Sequence, residues 1–195
     1  MALTPSTMLP LGTPAPAFRL PEPSSGRLIG LEDFPMAPAL VVAFICNHCP
    51  YVKHLRGALA AFARDVGENG AVMIAINSND PVRYPADAPE RMVEEAAAAG
   101  WRFPYLFDAD QSVARAYRAA CTPDFFVFGR DRRLAYRGQF DESRPGNGKP
   151  VTGADLRAAV NAVLAGVAPA ERQIPSIGCN IKWRPGNEPD YFAHT

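Results

Sequence analysis

The stretch VVAFICNHCPYVKHL, residues 41–55, decides how the chain is read. An apolar run with no polar face ends in two cysteines three residues apart, and Val52, Leu55, Leu59, Phe62 and Val66 then recur at spacings of three and four. Such a run describes a strand covered on both faces, and the period after it describes an amphipathic helix with Pro50 tolerated in its first turn. A thiol where a strand passes into a helix meets unpaired backbone N–H groups and the positive end of the helix dipole, and both favour the thiolate. The thiolate is the species that attacks disulfides. Cys46 is therefore expected as the attacking sulfur, and Cys49, one turn on along the same face, as the sulfur that resolves a mixed disulfide. His48 lies between them, where a protonated imidazole would tune the thiol pKa downward and make the pair more oxidising; the alternative is a solvated surface histidine.

The pattern continues outward as alternating strand and helix. Ala39 to Ile45 is the buried strand, Ala71 to Ile76 a second, and the polar turn Asn77, Ser78, Asn79, Asp80 leads to a helix from Pro89 to Ala99 that stops at Gly100. Phe103 to Phe107 reads as a short strand, with Asp110 as N-cap of a helix through Ala119. Phe125 to Phe128 and Leu134 to Arg137 read as a hairpin across the solvated turn GRDRR, and Ala154 to Leu164 as a last helix. Upstream, Phe18 to Phe34 suggests another hairpin around Ser24, Ser25 and Gly26, preceded by a proline-rich extended arm over residues 1–17. Residues 166–195 read as an irregular tail packing back onto the main domain of residues 18–165, with Trp183, like Trp101, as a core anchor. The fold class is α/β, a central mixed sheet flanked by helices.

Composition narrows the function. At 195 residues and 48% hydrophobic content the chain fits one domain with a real core, and 20 basic against 20 acidic residues provide no field for nucleic acid or an anionic membrane. No stretch approaches the roughly 18 apolar residues of a span, and the first residues lack a basic start before an apolar run, so the expected location is cytoplasmic. Four cysteines are too sparse for a disulfide scaffold. In a reducing compartment a close pair points to catalysis or metal binding.

Strand, CxxC, helix, strand, helix, Thr122-Pro123, hairpin and final helix follow the order of the thioredoxin fold, and the chain resembles that superfamily. Its opening, GTPAPAFRLPEPSSGRLIGLEDF at 12–34, is similar to the N-terminal region of the redoxin branch, the alkyl hydroperoxide reductase and thiol-specific antioxidant (AhpC/TSA) type. CNHCPYV, AINSND, CTPDFFVF, SRPGNGKPVTGADL and GCNIKWRPGNEP together resemble a bacterial thioredoxin-like family. The resemblance implies that Pro123 is cis and faces the CxxC, with the backbone of Thr122 forming a substrate groove onto which an extended chain can pair. An ordinary turn before a strand is the other reading of Thr122-Pro123. By the same resemblance Cys121 lies near the pair, as an accessory thiol or a small core residue. Cys179 could fold over the site or pair with Cys121; both are candidate accessory thiols. His54 and His194 read as surface residues.

Two departures shape the expected chemistry. Thioredoxin has a buried acid on the strand before its cysteines, whereas Leu40 to Ile45 supplies none. Peroxiredoxins carry a PxxxTxxC pattern whose proline and threonine slots are here Ala39 and Ala43, and CTPDFF offers no counterpart of their arginine. Fast peroxide reduction needs donors to the departing oxygen, so thiol-disulfide exchange is the leading reading and thiol peroxidase the second. A metal-binding module built on the cysteines with His48, and a redox-inert binding domain, are the non-enzyme readings. No cofactor and no metal are assigned. The expected partners are protein or small-molecule disulfides and a thiol reductant such as a thioredoxin reductase system or glutathione.

Overall fold

The structure, a computed structural model, describes residues 3–192. After a short N-terminal strand, β1 (Leu3–Pro5), comes a hairpin of β2 (Arg19–Pro21) and β3 (Leu28–Gly30), paired antiparallel around the turn at 22–27. Then β4 (Ala39–Phe44) leads into α1 (Pro50–Gly67), and β5 (Val72–Asn77) into α2 (Pro89–Ala99). There follow β6 (Tyr105–Phe107), α3 (Ser112–Ala116), β7 (Cys121–Thr122), β8 (Asp124–Gly129), β9 (Leu134–Gly138), α4 (Ala154–Leu164) and β10 (Ile177–Asn180).

The main sheet has the order β6-β5-β4-β8-β9, with β4, β5 and β6 parallel and β8 and β9 antiparallel. Its central strand explains the unbroken apolar run. Ala39, Val41 and Ala43 face a core completed by α1, α2 and α4, while Leu40, Val42 and Phe44 face a second core. That second core is closed by α3, the N-terminal arm, the β2–β3 hairpin and the tail residues Ile181 and Trp183. Alternate side chains of one strand thus serve two interiors, which a period-two polar strand could not do.

The helices obey local rules. α1 buries Val52, Leu55, Leu59, Phe62 and Val66 on one stripe, each full burial being worth roughly 1.5–3 kcal/mol. α2 stops at Gly100, whose φ of 67° is the left-handed cap that glycine adopts without strain. α3 is shorter than its sequence suggests. It closes at Tyr117, and Arg118 turns the chain at φ 50°.

The arm read as extended and the tail read as irregular both carry pairing. The arm contributes β1, and the tail contributes β10, which lies between β1 and β7 in a separate three-stranded sheet. In the GRDRR turn, Arg132 folds back to donate to the carbonyls of Phe34 and Ala37.

Candidate active site

β4 delivers the chain to the site, and Pro50 sets where α1 begins. A residue before proline is pushed out of the helical region, and Cys49 accordingly sits at φ −65°, ψ 124° as the N-cap, with Pro50 opening the helix. The helix tip therefore belongs to Cys49. The expectation that Cys46 would occupy the first turn is corrected: Cys46 lies three residues earlier, in the loop, and both sulfurs are fully buried.

Both cysteines converge on Thr122. The Cys46 Sγ is 3.4 Å from the Thr122 hydroxyl, and the Cys49 thiol donates to the Thr122 carbonyl at 3.2 Å. The Thr122–Pro123 bond is cis, and Pro123 is buried beside Tyr51 and Leu55 at the start of α1. Cys121 is near, as expected, and wholly buried, with its thiol directed at the Pro123 carbonyl, 3.6 Å away. The backbone edge of Thr122 is different from the expectation. It is covered by the chain itself, since β10 pairs antiparallel with β7 and sets Cys179 opposite Thr122. Cys179 thereby comes to 3.0 Å, sulfur to sulfur, from Cys49.

His48 is held rather than solvated. Its Nδ1 lies 2.5 Å from Asp87 Oδ2 and 4.0 Å from Cys46 Sγ, and its ring stacks on Tyr84 with centroids 5.3 Å apart. Asp87 is fully buried and accepts further hydrogen bonds from the Asn47 backbone N–H (2.7 Å) and the Asn79 amide (2.8 Å). Tyr105 donates its hydroxyl to the Asn47 side chain, tying β6 to the loop. Because one nitrogen of His48 faces both the carboxylate and the thiol, the imidazole cannot relay a proton from Cys46 to Asp87 through opposite ring atoms. It lies against Cys46 as a positioned cover.

The electrostatics divide the two sulfurs. Burial, then the hydrogen bond shared with Cys49, then the negative charge of Asp87 push the Cys46 thiol up. Cys49 is held below the ordinary thiol range, because its interactions with the sulfurs of Cys179 and Cys46 outweigh its burial, with the Val52 backbone N–H in the first turn of α1 adding to them. The same interaction with Cys49 raises Cys179. Asp87 is lowered: burial alone would raise it, and the hydrogen bonds from His48 and Asn79 prevail. Cys46, His48 and Asp87 also bring one ligand atom each within 4.8 Å of one another, a set of soft sulfur, imidazole and carboxylate.

A family model for the AhpC/TSA family matches residues 11–137. The chain belongs to the AhpC/TSA family. Two solved structures are similar to this family member over nearly its full length. An uncharacterized conserved protein from Geobacillus kaustophilus is 51% identical, with 95% of this chain and 98% of that chain covered and a TM-score of 0.93. A hypothetical protein from Sinorhizobium meliloti 1021 is 57% identical, with coverage of 93% and 98% and a TM-score of 0.91. A thiol:disulfide interchange protein of the thioredoxin family from Chlorobium tepidum TLS is 16% identical, with coverage of 78% and 97% and a TM-score of 0.60, which shows that the fold is shared. No curated protein matches. Family and fold together make this a redox protein of the thioredoxin-like type.

Three groups near the site escaped the sequence reading. Asp87 sits in a proline-rich connection 39 residues from His48, so nothing local marks it. Asp124 is the buried acid that β4 lacks, on the neighbouring strand opposite Phe44; a lone aspartate inside PDFFVF was the available signal. His54 is half-buried rather than at the surface, its Nε2 2.7 Å from the Ser143 hydroxyl. His194 falls outside the described residues.

Proposed function

We propose that this family member is a thiol-disulfide oxidoreductase in which Cys46 and Cys49 cycle between dithiol and disulfide. The convergence of both sulfurs on Thr122 beside cis Pro123, with Cys49 capping α1, carries the reading. Cys46 is the entry sulfur, because its neighbours His48 and Tyr84 are only half-buried and can be displaced by a substrate. The Cys46 sulfur attacks a substrate disulfide; that bond breaks, the Cys46–substrate disulfide forms, and the proton given up by Cys46 ends on the departing substrate sulfur. Cys49 then attacks Cys46 in the mixed disulfide, that bond breaks, and the proton given up by Cys49 ends on the second substrate thiol. The substrate gains two electrons and two protons, and the pair becomes a disulfide. His48 tunes this step by holding its Nδ1 between Asp87 and Cys46.

The substrates are protein or small-molecule disulfides, reached in the cytoplasm, and a thiol reductant such as a thioredoxin reductase system or glutathione restores the dithiol. Insulin-disulfide reduction tests this: Cys46→Ser and Cys49→Ser should each abolish turnover, and equal turnover by Cys46→Ser would remove the proposed nucleophile. Membership of the AhpC/TSA family supports a thiol peroxidase using Cys46 as the second reading. Ala39 and Ala43 are buried apolar residues of β4 and offer no hydroxyl to a peroxide. Stopped-flow oxidation is accordingly expected at the slow rate of an unactivated thiol, and a fast peroxide reaction would favour the peroxidase. Metal analysis of reduced protein separates both from a metal-binding module at Cys46, His48 and Asp87.

A further inference from the structure

The tail strand occupies the backbone edge where an extended substrate would pair, and it brings a sulfur with it. β10 runs antiparallel to β7, with Cys179 opposite Thr122 and Asn180 opposite Cys121. On its other side β10 is held by β1, Leu3 opposite Cys179. Residue 178 permits the approach: a Cβ there would lie 2.0 Å from the Thr122 carbonyl oxygen and 3.3 Å from Pro123 Cδ, so only glycine lets the strand lie flush against the cis proline. The result is the 3.0 Å separation of the Cys49 and Cys179 sulfurs. A disulfide bond is about 2.05 Å long, so closing it needs a movement of about 1 Å.

We propose that Cys179 is a third exchange thiol, which accepts the disulfide from the Cys46–Cys49 pair and stores it as a Cys49–Cys179 bridge. The proposal rests on the pair being redox-active as argued above. The Cys179 sulfur attacks Cys49 in the Cys46–Cys49 disulfide. That bond breaks, the Cys49–Cys179 bond forms, and the proton given up by Cys179 ends on Cys46. No electron enters or leaves in this step, since the oxidising equivalent was supplied by the substrate disulfide. Cys46 is thereby returned to the thiol state behind His48 while the protein remains oxidised. Exchange needs the attacking sulfur close, and β10 holds that of Cys179 3.0 Å from Cys49.

The test is disulfide mapping of the full chain after oxidation by glutathione disulfide, with acid quenching, alkylation, proteolysis and mass spectrometry. The wild type should yield both the Cys46–Cys49 and the Cys49–Cys179 bridge, the latter accompanied by alkylated Cys46. Cys46→Ser should yield the Cys49–Cys179 bridge alone, and Cys179→Ser the Cys46–Cys49 bridge alone. Gly178→Ala, which must push β10 away from Thr122, should lower the Cys49–Cys179 share roughly tenfold while the other bridge still forms. A Cys46–Cys49 bridge with no Cys49–Cys179 bridge in either wild type or Cys46→Ser overturns this inference and leaves the oxidoreductase reading standing. Absence of every bridge overturns both.

Discussion

Asp124 can ionise only against the interior that surrounds it. Burial, offset in part by the Ser6 and Ser176 hydroxyls and the backbone N–H groups of Ala120 and Phe125, raises it to about 7. Between pH 3.8, the unfolded value, and about 7 the folded protein binds the extra proton, so stability falls as pH rises across that window. Asp124→Asn should therefore leave stability unchanged below pH 3.8 and raise it above pH 7, by at most about 4 kcal/mol. Denaturant titrations at pH 3.5 and pH 8 measure this (roughly the two ends of the window); equal stability of the two proteins at the higher pH would refute it. Asp87 has the opposite sign. Its lowered pKa contributes stability that is present above 3.8 and lost as pH falls through the folded value. Asp87→Asn should cost about 2–3 kcal/mol at neutral pH by leaving His48, Asn79 or the Asn47 N–H short of an acceptor. The same change removes the negative charge that helps raise Cys46, so Cys46 should alkylate faster; a slower rate would contradict the assignment.

At the scale of elements, α1 and β4 are where interior packing is most exposed to test. Leu59 is fully buried in the α1 stripe, and Leu59→Ala should cost about 3 kcal/mol through lost contact and residual cavity. Tyr117 is the converse case. Its ring packs against Phe44, Phe126 and Phe128, but its hydroxyl is buried without a partner. Tyr117→Phe should be neutral or stabilising by about 1 kcal/mol in a denaturant melt, and a loss of stability would show that the hydroxyl has a role. These elements were legible in the sequence because each writes a local period: β4 is apolar on both faces, and α1, α2 and α4 repeat every three to four residues. Where backbone geometry intervened the ends moved: Pro50 places the start of α1 after Cys49, and α3 stops at Ala116, three residues short of Ala119, before Arg118 turns the chain. β10 left no such trace. Four residues with a glycine among them have no period, and their partners lie more than 50 residues away in β7 and more than 170 away in β1.

For the molecule as a whole, the thioredoxin-like order of elements was readable from motif spacing, whereas the enclosure of the site was not. CxxC and Thr122-Pro123 carry their chemistry in adjacent letters, and the structure brings them together as the family resemblance implied. The buried contacts of Asp87, Cys179 and the tail depend on tertiary packing alone. Among the described residues no helix is long and apolar enough to cross a membrane. The covering strand also arrives late: Cys179 follows Cys49 by 130 residues. On a translating ribosome, which proceeds from the N-terminus, the dithiol motif emerges well before its lid, so the nascent chain passes through a stage in which Cys46 and Cys49 meet solvent and oxidants uncovered.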